Sequence, residues 1–120
     1  MQKYSNIKHE HGSCTASRLA IQDTLEIVSG KWKLLILLTL SQGPLRFKEL
    51  AREIGITPRM LSRELQNMEA NQLISRTVLD TRPVSVEYAI TQYGLTFHEV
   101  LEAMRSWGMK HRKRIMTKKR

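Results

Sequence analysis

Two amphipathic helical patterns lie side by side within residues 47–71, separated only by residues 55–57. Gly55 favours a helix end, because glycine tolerates the positive φ that often closes a helix. Thr57 is a good N-cap, and Pro58 suits the first helical position, where its missing N–H costs nothing. Apolar residues recur at helical spacing on both sides of this break: Phe47, Leu50, Ala51 and Ile54 before it, and Leu61, Leu65 and Met68 after it. Two helices joined by so short a turn form a helix-turn-helix.

Three further helices are predicted around this pair. An apolar stripe at helical spacing marks one over about residues 16–28. The run LLILLTL at 34–40 is apolar on nearly all sides, so we expect a buried central helix that begins near Lys31. A broad apolar stripe marks a last long helix over about residues 92–113.

The segment 73–90 has the pattern of a β-hairpin. Residues 84–90 alternate between apolar and polar side chains, and the turn sequence DTRP at 80–83 precedes them. Residues 73–79 form the other strand, and one face of the hairpin is expected to be buried. A short extended piece at 45–47 can add a third strand. A helix-turn-helix followed directly by a hairpin predicts a mainly α (α+β) winged helix with a two- to three-stranded β wing.

The chain has 120 residues, which suits one domain. We expect residues 1–15 to form a flexible arm, 16–111 the winged-helix domain and 112–120 a basic tail. The formal net charge of +9 favours polyanionic partners, either nucleic acid or an anionic membrane surface. Residues 110–120 contain seven Lys/Arg and no acidic residue, whereas residues 46–88 contain seven Lys/Arg and six Asp/Glu. The charge therefore indicates an anion-binding or merely solvated tail more than a basic folded middle.

The helix that begins at Pro58 places polar side chains opposite its apolar stripe. Those on its outer face near its start are Pro58, Arg59, Ser62, Arg63 and Gln66. In a helix-turn-helix, the second helix enters the major groove of DNA with this end leading. Arginine can pair with O6 and N7 of guanine, glutamine with N6 and N7 of adenine, and serine with either base. An ordinary solvated face has the same residue types, but the predicted winged helix favours DNA contact.

Four further cations are candidates for contact with the DNA backbone. Arg82 lies in the predicted turn of the hairpin, from which it can reach a neighbouring minor groove. Arg46 and Lys48 flank the start of the helix at 47–54, and Arg76 lies on a predicted strand. Contacts from such residues to phosphates position a protein without reading sequence. A solvated turn residue remains open for Arg82, and covering of the sheet edge for Arg76.

The single cysteine, Cys14, excludes an internal disulfide framework. It lies near the start of the first predicted helix, where a thiol can become reactive. A small, idle cysteine is the open alternative. Its spacing from His9 and His11 is not that of a zinc site, so we expect no metal and no cofactor.

Other classes of protein are not favoured. No Gly-rich phosphate loop, G-x-S-x-G or H-E-x-x-H sequence is present, so we do not expect an enzyme. The run at 34–40 is too short to span a bilayer, and no signal-peptide pattern begins the chain. We therefore expect a cytoplasmic protein without a membrane partner.

Several sequence blocks carry a family resemblance. They occur in the order GKWKLLILLTLSQGPLRFKEL, ITPRMLSRELQNMEANQLISR and RPVSVEYAIT, followed by YG and SWG. In these blocks, from about Cys14 to His111, the chain resembles the HxlR-type winged-helix transcriptional regulators. The resemblance implies a bacterial or archaeal regulator that binds double-stranded operator DNA as a homodimer. It favours a repressor over an activator and leaves the effector unknown.

The resemblance also implies roles for particular residues. Thr57, Arg59, Ser62 and Arg63 match the recognition helix of the family, and the hairpin around Arg82 matches its wing. The resemblance also implies that the first and last helices form the dimer interface. By position, the interface residues are Ile21, Leu25, Leu101, Met104 and Trp107. Some members sense oxidants or electrophiles through a cysteine in the region of Cys14. Without a second cysteine, only a symmetric Cys14–Cys14 bond between subunits or a mixed disulfide is possible.

The expected mechanism places two recognition helices in successive major grooves of a pseudo-palindromic operator. The nearly neutral middle of the chain keeps an alternative open. In that alternative, the winged helix is a protein–protein interaction module that does not bind DNA specifically.

Overall fold

The computed structural model describes the backbone of residues 11–118 and the side chains of residues 14–118. Six helices and three strands lie within the described backbone. They are α1 (His11–Ile27), α2 (Lys33–Leu40), β1 (Leu45–Arg46), α3 (Phe47–Ile54), α4 (Pro58–Ala70), β2 (Ile74–Leu79), β3 (Ser85–Ile90), α5 (Gln92–Leu95) and α6 (His98–Lys118). The predicted order of elements is confirmed up to β3, and so is the mainly helical fold with a small antiparallel sheet.

The chain divides into two units, Met1–Lys31 and Trp32–Arg120. In the described part of the first unit, α1 begins at His11, so residues 11–15 of the predicted flexible arm are helical. A solvent-facing helical turn needs no apolar residue, and the polar sequence there does not reveal it. Residues 1–10 of that arm lie outside the described residues.

The core of the second unit is formed by α2, α3, α4 and the start of β2. Its fully buried side chains are Ile36, Leu37, Leu40, Leu50, Leu61, Leu65, Met68 and Ile74. The predicted inner stripe of α4 is thus confirmed. The predicted place of α2 in the core is confirmed by Ile36, Leu37 and Leu40, but its Leu35 and Leu38 are each 40% exposed. An uninterrupted apolar run here produces a helix with a second apolar face that the second unit leaves open.

The three strands form one antiparallel sheet in the order β1–β3–β2. Ile74 pairs with Ile90 at the base of the hairpin, and Leu79 pairs with Ser85 beside its turn. Burial is confined to the base and middle, where Ile74 and Tyr88 are buried, whereas Val84 is 66% exposed. The predicted buried face therefore covers only part of the hairpin. Its turn end projects beyond the core, as a wing does.

The predicted single helix over residues 92–113 is in fact two helices, α5 and α6. Thr91 caps α5, and its hydroxyl accepts a hydrogen bond of 2.9 Å from the Gly94 N–H. The chain then tightens, because the N–H of Phe97 donates to the carbonyl oxygen of Gly94 at 3.0 Å, three residues back. A Cβ atom on Gly94 would overlap the carbonyl oxygen of Leu73. This close approach to the residue that precedes β2 accompanies the break. Helical spacing cannot reveal it.

The predicted basic tail at 112–120 is also helical as far as it is described, because α6 continues to Lys118. Residues 109–118 contain no glycine or proline and are mostly good helix formers. All of their side chains are exposed. No helix within the described backbone is both long and apolar enough to cross a membrane.

Candidate nucleic-acid interface

The turn that precedes α4 has the predicted capping chemistry. Gly55 closes α3 with φ 79° and ψ 35°, in the left-handed region that glycine adopts readily. Thr57 has extended backbone angles, and its hydroxyl accepts a hydrogen bond of 3.3 Å from the Met60 N–H. Pro58 occupies the first helical position. These local contacts fix where α4 begins, and therefore which side chains lie at its leading end.

The outer face of α4 presents the predicted polar side chains. Arg59, Arg63 and Gln66 are exposed, and Ser62 is partly exposed. Neither arginine forms an ion pair with any residue of the range 14–118. Their guanidinium groups are therefore available to donate hydrogen bonds to an external acceptor such as a base edge or a phosphate.

The inner face of α4 contains a charged residue that the sequence analysis missed. The Nζ atom of Lys33 donates to both carboxylate oxygens of Glu64, at 3.0 and 3.2 Å. The two side chains are only 10% and 12% exposed. Glu64 follows Leu61 by three residues and precedes Met68 by four, so it lies on the spacing of the apolar stripe. An acidic residue at a core position is the signal that indicates a buried cationic partner.

A groove of about 640 Å³ lies between the start of α3 and the turn of the hairpin. Four basic residues line it: Arg46, Lys48, Arg52 and Arg82. The structure thus brings together three of the predicted backbone-contacting cations from separate parts of the chain. Arg52 was missed, although it follows Lys48 at i+4 and so shares its helix face. Arg76 is exposed on β2 and does not line the groove.

The remaining walls of the groove are largely apolar, and Phe47, Pro83, Val84 and Val86 contribute to them. The one acidic residue of the lining is Glu49, whose carboxylate accepts a hydrogen bond of 2.9 Å from the Arg46 N–H. Four cations and one carboxylate leave an excess of positive charge. A cationic groove with apolar walls suits a chain of alternating phosphates and sugars.

The five residues predicted at a dimer interface have different surroundings. Ile21 and Leu25 on α1 are exposed, as are Met104 and Trp107 on α6. Leu101 is only 8% exposed, so it packs within the protomer and offers little surface to a partner. The ring of Trp107 stacks on that of His111 at a centroid distance of 4.9 Å. The interface itself remains a prediction.

Cys14 is partly exposed and lies within α1, whose described part begins at His11. No cluster of three or more potential metal ligands occurs among the residues with described side chains. His9 and the side chain of His11 lie outside the described residues.

Comparison with known proteins gives a consistent result. The sequence profile of the HxlR-like helix-turn-helix family matches residues 27–116. The HTH-type transcriptional regulator YtcD of Bacillus subtilis (strain 168) is 37% identical over 98 residues, which is 81% of this chain and 78% of YtcD. An HTH-type regulator of Methanothermobacter thermautotrophicus is 41% identical over 90 residues, which is 74% of this chain and 69% of that protein.

Solved structures agree with these relatives. The reduced form of the redox regulator HypR has a TM-score of 0.75 and 32% identity, over 82% of this chain and 98% of HypR. The crystal structure of YtcD has a TM-score of 0.74 and 37% identity, over 78% of this chain and 96% of that structure. These structures are winged-helix regulators, which confirms the predicted fold.

Proposed function

The chain belongs to the HxlR-like helix-turn-helix family of transcriptional regulators, and we propose that it binds a specific, pseudo-palindromic DNA operator as a homodimer. The members of this family are transcriptional regulators and not enzymes, as expected from the sequence. We propose further that the protein acts in the cytoplasm and represses transcription by occupying its operator.

The outer face of α4 is the observation that carries this proposal. Arg59 and Arg63 are exposed in the N-terminal half of the helix and Gln66 just beyond it, opposite a fully buried apolar stripe. Their hydrogen-bonding groups match those that the major groove displays on guanine and adenine. α4 therefore acts as the recognition helix, with Thr57, Pro58 and Ser62 close to the DNA backbone and bases at its leading end.

The groove between α3 and the wing holds the DNA backbone beside the recognition helix. Arg46, Lys48 and Arg82 contact phosphates there, and Arg52 is a fourth contact. Phe47 and Val84 supply apolar surface for the deoxyribose rings. Arg76 meets the backbone outside the groove or covers the sheet edge.

The dimer is formed by the exposed apolar side chains of α1 and α6. Met104 and Trp107 are large, apolar and open to solvent in the protomer, which is unfavourable unless a partner covers them. A two-fold dimer places its recognition helices about 34 Å apart, one turn of DNA. Operator half-sites then have the same spacing.

A redox response is proposed at Cys14. HypR is a redox regulator with a similar fold, and Cys14 is partly exposed at the start of α1. Oxidation would join two Cys14 thiols across the dimer, or one thiol to a small thiol, with loss of two electrons and two protons to the oxidant. Operator affinity changes when α1 is cross-linked to α1 of the other subunit or carries a small thiol at Cys14. A Cys14→Ser protein whose DNA binding still responds to the disulfide-forming oxidant diamide would contradict this role.

One binding experiment tests the proposed function. The purified protein is titrated onto DNA from upstream of its own gene and onto shuffled DNA of the same length, across a salt series. Because residues 112–118 are helical, the tail charge is removed by glutamine substitution and not by truncation, at Arg112, Lys113, Arg114, Lys118, Lys119 and Arg120.

The expected result is tight binding to the upstream DNA alone, which the glutamine variant retains. Equal binding to both DNAs, lost in the glutamine variant, would contradict the proposal. That outcome favours the alternative, in which the winged helix binds another protein.

A further inference from the structure

The ion pair between Lys33 and Glu64 connects the first residue of α2 to the inner face of α4. We propose that it sets the rotation of α4 about its own axis, and that both residues are positioning residues for the reading of DNA. This inference rests on the proposed function. Neither side chain would touch DNA, because both are about nine-tenths buried within the protomer.

Apolar packing alone defines this rotation loosely. Leu61, Leu65 and Met68 hold α4 against the core through contacts that have little directional preference. The Lys33 ammonium, in contrast, donates to both oxygens of Glu64 at 3.0 and 3.2 Å. Charge-assisted hydrogen bonds are short and directional. The pair therefore adds a directional restraint on this rotation to the restraint from apolar packing.

The outer face is sensitive to that movement. Glu64 is adjacent to Arg63 in the sequence, so any turn of one moves the other. Side chains place the surface of a helix about 5–6 Å from its axis, so a rotation of about 20° moves an outer group by about 2 Å. A paired hydrogen bond to a base edge tolerates only a few tenths of an ångström. A small rotation would therefore reduce discrimination between bases, while contacts to phosphates persist.

Apolar replacement of the ion pair can distinguish a positioning role from a purely stabilising one. Replacing such a pair with apolar residues of similar volume is often neutral for stability or improves it. A Lys33→Met/Glu64→Leu double variant should therefore fold, and it separates the two roles. The matched control is Arg105→Met/Glu102→Leu, which removes an exposed pair with a nitrogen-to-oxygen distance of 3.9 Å on α6.

The experiment measures the melting temperature and the ratio of affinities for upstream and shuffled DNA in the parent and both double variants. We expect the core variant to keep a melting temperature near that of the parent and to lose about tenfold or more of its discrimination. Its affinity for shuffled DNA should be unchanged, and the control should match the parent. A core variant with both parental stability and parental discrimination would overturn the inference.

A second measurement does not depend on DNA. Backbone residual dipolar couplings along residues 58–70, measured by NMR, report the rotation of α4 relative to α2. We expect the phase of their periodic pattern to shift in the core variant or, should that variant not fold, in Glu64→Gln; an unchanged phase overturns the inference. If the parent binds both DNAs equally but the phase shifts in the variant, the proposed function fails and the positioning of α4 stands.

Discussion

Helices α4 and α6 differ in what defines them. α4 has one face in the core and the other exposed, and its start is fixed by Gly55, Thr57 and Pro58. α6 is longer, yet Leu101 is its only buried residue. Gly108 is partly covered, and the other residues of α6 are exposed. The protomer thus buries the whole apolar face of α4 and leaves most of α6 exposed. The residues that pack against α4 belong to its own chain, whereas most side chains of α6 are exposed in the protomer.

The largest expected difference between the two regions concerns their ion pairs. Lys33→Met leaves the Glu64 carboxylate buried without its partner, and should reduce the free energy of unfolding by about 3 kcal/mol. Arg105→Met removes an exposed partner of Glu102 and should change it by less than about 1 kcal/mol. Urea denaturation of the parent and both variants measures these values. Equal losses would remove the distinction between the two helices.

The exposed aromatic residue of α6 should matter for association and not for the fold. Trp107→Ala should raise the dimer dissociation constant by about 30-fold, equivalent to about 2 kcal/mol, if it is a central contact. Far-ultraviolet circular dichroism should stay unchanged, because the side chain is 66% exposed in the protomer. Sedimentation equilibrium measures the association. Tyr93→Ala, also at an exposed aromatic residue, is the control; a parental dissociation constant in Trp107→Ala would place the interface elsewhere.

The arginines of the two helices should differ in DNA binding. Arg59→Ala and Arg63→Ala should each weaken binding to upstream DNA by about 1–3 kcal/mol, with little change on shuffled DNA. Arg112→Ala on α6 should weaken binding to both DNAs equally, or to neither. Fluorescence anisotropy with labelled duplexes measures all three. If the variants of α4 bind upstream DNA with parental affinity, the assigned recognition face is wrong.

The smallest expected effect concerns Arg52 in the groove. Arg52→Gln should weaken binding to upstream and shuffled DNA by the same factor, because phosphate contacts do not read sequence. The slope of log affinity against log salt concentration should become shallower by about one. Arg105→Gln, outside the groove, should retain the parental slope. An unchanged slope for Arg52→Gln would exclude this side chain from the phosphate contacts.

The same contrast explains what the sequence could reveal. The turn at 55–58 depends on contacts between near neighbours, so residue type alone predicts it. The face of α4 follows from the spacing of Leu61, Leu65 and Met68. The break between α5 and α6 accompanies the backbone approach of Gly94 to Leu73, which no local pattern encodes. The bounds of α6 were therefore the least accurate.

The candidate site shows the same division. The outer residues of α4 could be predicted, because an amphipathic helix defines its polar face by its apolar one. The pairing of Lys33 with Glu64 could not, since the two are 31 residues apart and meet only in the folded chain. The groove was predicted in part, because Arg46, Lys48 and Arg82 were identified separately, but their shared surface and Arg52 appear only in three dimensions.

The close approach of Gly94 to Leu73 has a geometric consequence. A side chain at residue 94 would overlap the Leu73 carbonyl oxygen and crowd the Ile90 side chain, so glycine allows α5 to lie this close to the base of the hairpin. α6 begins three residues after the last residue of α5, so its direction depends on where α5 packs. In the proposed dimer, a displacement of α5 would therefore move α6 and change the distance between the two α4 helices. Gly94, although buried in the protomer, would then affect the spacing of operator half-sites that the dimer can bind.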